Sequence, residues 1–289
     1  MRSSWKKFVI ELIGSIRRDT VDDLAAEVAF WSVFALFPFS VFILTLFGYI
    51  PLAGLNEHLL AVIHGALPSE TAALVDETIH EILGYERGWL LILSLLAAIW
   101  TASAAISGLM TALNKAYGVR ETRPYWVSKS LSILLTVVSA VLLIVAIVSL
   151  ILGPEVMSWL STRIGFDRTL NFIWAIVRWP LILAVLLLDL ALIYHFIPNV
   201  KQRFRFLSPG AVFAVASWAI ASFGLNLYVS NFDSYARSYG TLGAAMVLLL
   251  WLFISAFVVI LGGEINAMLD RMLKRIKHQE RYPTRTGVR

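Results

Sequence analysis

The sequence contains no cysteine and has little charge. The missing cysteine excludes disulfides, thiolate nucleophiles and cysteine-ligated zinc or iron–sulfur centres. Charged residues make up 15% of the 289 residues, against about 25% in an average soluble domain. Hydrophobic residues reach 59%, and the mean hydropathy is +0.78. This composition excludes a soluble enzyme and a disordered chain, and it predicts a protein that crosses the membrane several times.

The motifs of familiar catalytic and metal-binding sites are also missing. The sequence has no HExxH pair, EF-hand loop, P-loop, GxGxxG fingerprint or GxSxG elbow. His58, His64 and His80 fall in one polar loop, but the six-residue step from His58 to His64 does not bring two ligands to one helix face. We therefore expect no metal, no cofactor and no catalytic residue, and we expect no ribonuclease activity.

Long apolar segments make up most of the sequence. Six of them have the roughly 20 apolar residues that a membrane-spanning helix needs, whereas a membrane barrel would show short alternating segments. They cover residues 28–50, 89–113, 127–152, 172–196, 206–229 and 239–266. The predicted fold is an all-α polytopic bundle of six transmembrane helices. We expect a polar segment at 1–27, the membrane domain at 28–266 and a basic tail at 267–289.

Lysine and arginine are distributed unevenly between the two sides of this bundle. Nineteen of the 24 fall in the N-terminal segment, in or directly beside the loops after the second and fourth spans, or in the C-terminal tail. This asymmetry predicts that both termini lie in the cytoplasm. It also accounts for the net charge of +5 without a nucleic-acid partner, and basic flanks of this kind attract anionic lipid headgroups.

The long outer loop at 51–88 carries its own helical pattern. Apolar residues recur there at helical spacing, acidic residues occupy the other face, and Ser69 is placed to cap the helix. We expect an amphipathic helix on the outer surface. It is either a packed surface helix or a mobile gate over the bundle mouth.

Four motif groups in fixed order resemble the YihY/BrkB family of bacterial inner-membrane proteins. They are LAAEVAFWSVFALFP at 24–38, WTAS at 100–103 with LNKAYG at 113–118, IPN at 197–199 with PGA at 209–211, and YGTLGA, LWLF and LGGEINA at 239–244, 250–253 and 261–267. The resemblance implies six helices with both ends in the cytoplasm of a bacterial cell. Members of that family have been labelled ribonuclease BN and virulence factor. Transport of a solute or a lipid component has also been suggested for them.

Ionisable residues at membrane depth are costly, and each raises a functional question. Asp189 lies within the fourth span, and Arg178 precedes it by 11 residues, close to three helical turns. The two side chains therefore lie on nearly the same face, about 16 Å apart along the axis. They form a polar relay, or else Asp189 pairs with another helix while Arg178 reaches the outer interface.

A second polar group gathers toward the cytoplasmic ends of the helices. We predict that at least three of Glu27, Asn114, Asp189 and Glu264 line one cytoplasm-facing cavity, because a shared wet cavity would relieve the burial of unpaired acids. The further members of the group are Lys115, His195 and Asn266. The alternative is that these residues are separate caps and interface anchors.

Prolines and small residues mark candidate hinges and packing seams. Pro38 and Pro180 can kink the first and fourth spans. Small residues permit close helix approach or a moving seam, and they lie in the second and last spans. They are Ser103, Ala104, Ser107, Gly108, Gly240, Gly243, Gly262 and Gly263.

The leading functional hypothesis is a transporter or translocator of an unidentified small solute or lipid component. Its basis is a polytopic bundle with interior charge, helix breakers and no large soluble domain. The alternatives are an envelope-organising membrane protein that transports nothing, or an intramembrane enzyme acting on lipid. Expected partners are membrane lipids, the unidentified substrate and a second copy of the chain in a homo-oligomer.

Overall fold

The computed structural model describes residues 2–49, 88–151, 167–230 and 233–281, and every regular element in these ranges is an α-helix. Within these ranges, seven helices follow one another. They are α1 (Arg2–Arg18), α2 (Val21–Tyr49), α3 (Gly88–Tyr117), α4 (Tyr125–Ile151), α5 (Asp167–Phe196), α6 (Pro209–Ser230) and α7 (Asp233–Arg281).

Six of these helices, α2 to α7, are long and apolar enough to cross a membrane. The six predicted spans and the all-α class are therefore confirmed. Several helices extend beyond the predicted ends of the spans, whereas α6 begins at Pro209, after the predicted start at 206. The first begins at Val21 within the segment expected to be polar, and the last continues to Arg281 through most of the basic tail. The amphipathic helix expected at 51–88 lies outside the described residues.

α1 was not predicted as a helix, because its apolar residues are interspersed with basic ones. Lys6, Arg17 and Arg18 share the helix with Ile10 and Ile13, which remain exposed. A basic amphipathic helix of this kind is suited to the membrane surface. A two-residue turn joins α1 to α2, and Thr20 adopts a left-handed backbone conformation there, with φ of 52°.

The core lies where α2, α3 and α7 meet. α2 packs most extensively on α3, and α7 contacts α2, α3 and α6, whereas α4 contacts α3 and α5 toward the edge of the bundle. Leu113, Ile260 and Met268 are fully buried in this core. Many large apolar side chains of α4 and α5 remain exposed, as expected for surfaces that face lipid.

Both predicted kink prolines lie inside uninterrupted helices, Pro38 in α2 and Pro180 in α5. Gly108 supports the packing interpretation, since a Cβ built on it would lie 3.0 Å from Val28 of α2. Gly243 is buried in α7. The surroundings of Gly240 lie outside the described side chains.

Candidate functional site

A cavity of about 330 Å³ opens between α3 and the start of α4. Its lining combines hydroxyl, amide and charged groups with a few apolar side chains. The lining residues are Ser107, Met110, Thr111, Asn114, Lys115, Val119, Glu121, Tyr125, Ser128 and Lys129. We call this the α3–α4 cavity. Such a volume falls in the range of small-molecule sites, near its lower end.

Lys129 is the buried cation of this cavity. Pro124 precedes α4, and Lys129 follows in the second turn, where its side chain points back toward α3. Its Nζ donates to Ser103 Oγ at 2.6 Å and lies 4.3 Å from the centre of the Trp100 ring. The residue is only 9% exposed. Among the described residues, its three N–H donors have one hydroxyl partner, Ser103, and the ammonium group also lies against the Trp100 ring.

Serines on both helices extend the polar character of the cavity. Ser107 Oγ donates to Ser132 Oγ at 3.1 Å, which ties α3 to α4. Ser128 Oγ is buried and has no hydrogen-bond partner among the described residues. A buried hydroxyl without a partner is uncommon and is expected to bind a ligand or water in the cavity.

The rim of the cavity is held by an amide and an ion pair. Asn114 donates to Glu121 Oε2 at 3.0 Å and accepts from the backbone N–H of Asn199 at 2.8 Å. Arg123 holds Glu121 through both of its carboxylate oxygens, at 2.7 and 2.8 Å. The hydrogen bonds from Arg123 lower the pKa of Glu121 to about 2, with a smaller contribution from Asn114. The acid at the rim is therefore ionised and already paired.

A line of hydroxyls leads from the cavity along α4 toward Asp189. Ser128, Ser132, Thr136 and Ser139 follow one another at steps of four, four and three residues, which keeps them on one helix face. Ser139 Oγ donates to Asp189 Oδ1 of α5 at 2.6 Å. The line spans about 16 Å along the helix axis. Asp189 is thus paired across helices, as one interpretation of the sequence expected.

A contrasting region lies where α6 and α7 touch, which we call the glycine seam: Gly210, Gly262 and Gly263. A Cβ built on Gly210 would overlap the carbonyl oxygen of Gly262, and one on Gly262 would lie 2.6 Å from the carbonyl oxygen of Gly210. A Cβ on Gly263 would overlap the Leu113 side chain of α3. The two backbones therefore meet directly, which leaves no space for a ligand.

Polar residues beside the glycine seam form hydrogen bonds at the start of α6. Asn266 accepts from the Gly210 N–H at 2.8 Å and donates to Ser208 Oγ at 3.0 Å. Ser208 in turn accepts from the Ala211 N–H at 3.1 Å, as the cap of α6. Glu264 is fully buried, and neither of its carboxylate oxygens has a hydrogen-bond partner among the described residues.

The predicted site residues are divided between several places. Asn114 and Lys115 line the α3–α4 cavity, and Lys115 Nζ also donates to Thr20 Oγ1 at 3.3 Å. His195 and Asn266 line a separate crevice between the C-terminal end of α5 and α7. The cavity lining that contains Asn114 does not include Glu27, Asp189 or Glu264.

Two of the remaining predicted residues lie away from both cavities. Glu27 is exposed on α2, and its carboxyl carbon would lie 3.8 Å from a Cβ built on Gly108. Arg178 lies against the Trp179 ring at 5.3 Å, and its buried Nε has no hydrogen-bond partner among the described residues. The structure shows no direct contact between Arg178 and Asp189 within its described residues.

Sequence reasoning missed Lys129 and Ser128 as site residues. Lys129 was counted only as one of the basic residues of a cytoplasmic loop. The available signal was the spacing of hydroxyls at 128, 132, 136 and 139 beside a lysine inside an apolar segment. That pattern identifies a polar helix face, although only the structure shows that α3 lies opposite it.

Comparisons with known proteins agree on one family. The model of the family described as virulence factor BrkB matches residues 12–285. A Bacillus subtilis protein named putative ribonuclease-like protein YfkH is 35% identical over 267 residues, which are 92% of this chain and 96% of that protein. No solved structure shows significant similarity to the chain.

Longer relatives carry the name UPF0761 membrane protein. The one from Delftia acidovorans is 26% identical over 98% of this chain and 66% of its own length. The one from Chromohalobacter salexigens is 28% identical over 88% of this chain and 61% of its own length. The chain thus spans about two thirds or less of these relatives.

Proposed function

The chain belongs to the BrkB family of integral membrane proteins, and we propose that it is a transporter or translocator of a small polar solute or a lipid component. One observation carries the proposal. The α3–α4 cavity brings together a buried lysine and a buried serine hydroxyl that has no partner among the described residues. Buried ionisable groups in a membrane bundle are costly and often mark substrate paths.

The hydroxyl line on α4 extends this path toward the membrane interior. Ser132 joins the cavity region to α3, and Ser139 joins the far end of the line to Asp189. A substrate or a coupling proton moving from the cavity would meet hydrogen-bonding groups at each helical turn. In the proposal, Asp189 is the interior charge and Lys129 receives the substrate at the entrance.

The proposed orientation places both termini in the cytoplasm of a bacterial inner membrane. Its support is the excess of lysine and arginine in alternate loops. Single cysteines in this cysteine-free chain test it. A membrane-impermeant thiol reagent should reach a cysteine at Arg120 or Arg285 only from inside, and labelling of Arg285→Cys from outside would contradict the orientation.

An enzymatic role receives less support. The name ribonuclease-like belongs to the Bacillus subtilis relative. Within the described ranges, no group of three or more histidine, aspartate or glutamate side chains is arranged to hold a metal ion. The basic residues also divide by membrane side instead of forming one RNA path. We therefore propose no RNA cleavage by this chain.

Reconstituted flux tests the proposed function. The purified protein in liposomes should move labelled phosphatidylglycerol between leaflets, or labelled inorganic phosphate across the bilayer, faster than empty liposomes do. Lys129→Met should lower the rate roughly tenfold, equivalent to about 1.4 kcal/mol. Lys274→Met is the matched control, because Lys274 is an exposed lysine of α7 outside the cavity lining. Wild-type rates equal to those of empty liposomes for both probes and for labelled metabolites without phosphate would contradict the proposal.

A further inference from the structure

The buried end of the α3–α4 cavity is rich in hydrogen-bond donors. Lys129 uses one of its three donors on Ser103, and the Trp100 ring covers part of its ammonium group. Ser128 Oγ, one residue earlier, is buried without a partner among the described residues. A ligand that reaches this end of the cavity therefore meets a positive charge and a hydroxyl with free hydrogen-bonding capacity.

The acid in the lining does not cancel this charge. Glu121 is bound by Arg123 at 2.7 and 2.8 Å and by Asn114 at 3.0 Å. Arg123 therefore balances the negative charge of Glu121, and the positive charges of Lys129 and Lys115 remain. Both lysines belong to the lining, so the cavity as a whole favours an anion.

The position of the α3–α4 cavity suits a ligand group at the headgroup level of the membrane. The cavity opens at the end of α3 and the start of α4, where Tyr125 is 64% exposed and Trp126 is 72% exposed. Exposed aromatic residues at a helix end are typical of the membrane–water interface. A cavity of about 330 Å³ accommodates a phosphate group with a small polar attachment.

We propose that the α3–α4 cavity binds a phosphate group, with Lys129 as its charge partner and Ser128 as a hydrogen-bonding partner. Lysine is a common phosphate ligand, and a phosphate oxygen accepts from both an ammonium and a hydroxyl group. The phosphate belongs to an anionic phospholipid or to a soluble phosphate compound. This inference names the substrate class and rests on the proposed function, although binding is measured separately from transport.

Binding is measured on the full chain in uncharged detergent, by native mass spectrometry and by the thermal unfolding midpoint. The probes are phosphatidylglycerol, the phosphate-free lipid diacylglycerol and inorganic phosphate. We expect selective binding of phosphatidylglycerol if the ligand is a lipid, and binding of inorganic phosphate if it is soluble. Either result supports the phosphate site and identifies the source.

Substitutions at two cavity residues locate the binding. Lys129→Met should weaken the favoured probe roughly tenfold or more, Lys129→Arg should retain most of the affinity, and Lys274→Met should leave it unchanged. Ser128→Ala provides a second test if Lys129→Met fails to fold, with an expected loss of roughly threefold for one hydrogen bond. Affinities that are equal for wild type and every folded cavity variant would overturn the inference, as would an affinity for diacylglycerol equal to that for phosphatidylglycerol.

The outcomes separate this inference from the proposed function. Lysine-dependent binding without flux of either probe would leave the phosphate site standing and remove the transport role. Flux of a labelled metabolite without phosphate, while neither phosphate probe binds, would support transport and overturn the phosphate site.

Discussion

The glycine seam and the α3–α4 cavity are two helix interfaces of one bundle with opposite construction. At the seam, the backbones of Gly210 and Gly262 approach so closely that neither position has space for a Cβ. At the cavity, α3 and α4 meet through serine and lysine side chains and leave about 330 Å³ between them. Both interfaces contain small residues, yet only one of them has space for a ligand.

The difference shows what small residues do in each setting. Glycine removes the side chain entirely, so the helices gain close van der Waals contact along the seam. Serine also permits approach, but its hydroxyl needs a partner, and here the partners are another serine and a lysine. A seam built with glycine is fixed by shape, whereas an interface built with serine and lysine stays polar and accessible.

The largest expected effect comes from inserting one methyl group into the glycine seam. Gly210→Ala should lower the free energy of unfolding by about 3 kcal/mol, because its Cβ would overlap a backbone oxygen and lie 2.7 Å from Asn266 Cγ. The unfolding midpoint in detergent measures this. Gly224→Ala is the control, since nothing lies within 4 Å of a Cβ there, and it should be neutral or slightly stabilising.

Gly263→Ala sharpens the same comparison. Its Cβ would meet the end of the Leu113 side chain, which can shift, whereas the obstacle at Gly210 is backbone. Its loss of stability should therefore fall between those of Gly210→Ala and Gly224→Ala. If all three variants unfold at the same temperature, the seam does not depend on backbone contact.

A functional loss without a stability loss is expected at Asp189. Asp189→Asn keeps the shape of the side chain and the hydrogen bond from Ser139, but it removes the interior charge. Flux in proteoliposomes should fall roughly tenfold, about 1.4 kcal/mol in the barrier, while the unfolding midpoint stays near that of the wild type. Equal losses of folding and flux would instead assign Asp189 a structural role.

The smallest expected effect concerns the cavity rim. The pKa of Glu121 is lowered to about 2 in the folded protein, so its ionised form stabilises the fold at neutral pH. That contribution is present above the ordinary pKa near 4.5 and is lost as the pH falls toward about 2. Because the carboxylate is partly exposed, Glu121→Gln should cost no more than about 1 kcal/mol at neutral pH.

The pH dependence is the check on this prediction. Thermal unfolding of wild type and Glu121→Gln should differ at neutral pH, and the difference should shrink steadily below about pH 4.5. A difference that grows on acidification would contradict the sign of the pKa shift.

Much of the fold follows from hydropathy alone. Six apolar segments of sufficient length predict six helices, and the structure confirms them. The family resemblance is confirmed as well, because ordered motifs persist over most of the chain. The helix ends were predicted less well, since Val21 and Arg281 lie in polar sequence that the packed helices continue through.

The candidate site could not be predicted without knowing how the helices pack against one another. Sequence places Asn114 and Lys115 at a helix end, but it does not show that Ser128 and Lys129 of the next helix lie opposite. Residue depth follows from counting along a span, whereas rotation about each helix axis depends on packing with its neighbours. For that reason Asn114 and Asp189, assigned to one cavity by depth, lie at different helix interfaces.

Accessibility of the cavity to water is the most direct test of the contrast between the two interfaces. Single cysteines replace Thr111 of the cavity lining, Ala214 beside Gly262 at the seam, and Leu134, which is exposed on α4. A charged thiol reagent added to the membrane-embedded protein should label Thr111→Cys and leave Ala214→Cys and Leu134→Cys unmodified, because the seam is closed and Leu134 faces lipid. Labelling of Ala214→Cys at the same rate as Thr111→Cys, or no labelling of Thr111→Cys from either side, would contradict the account.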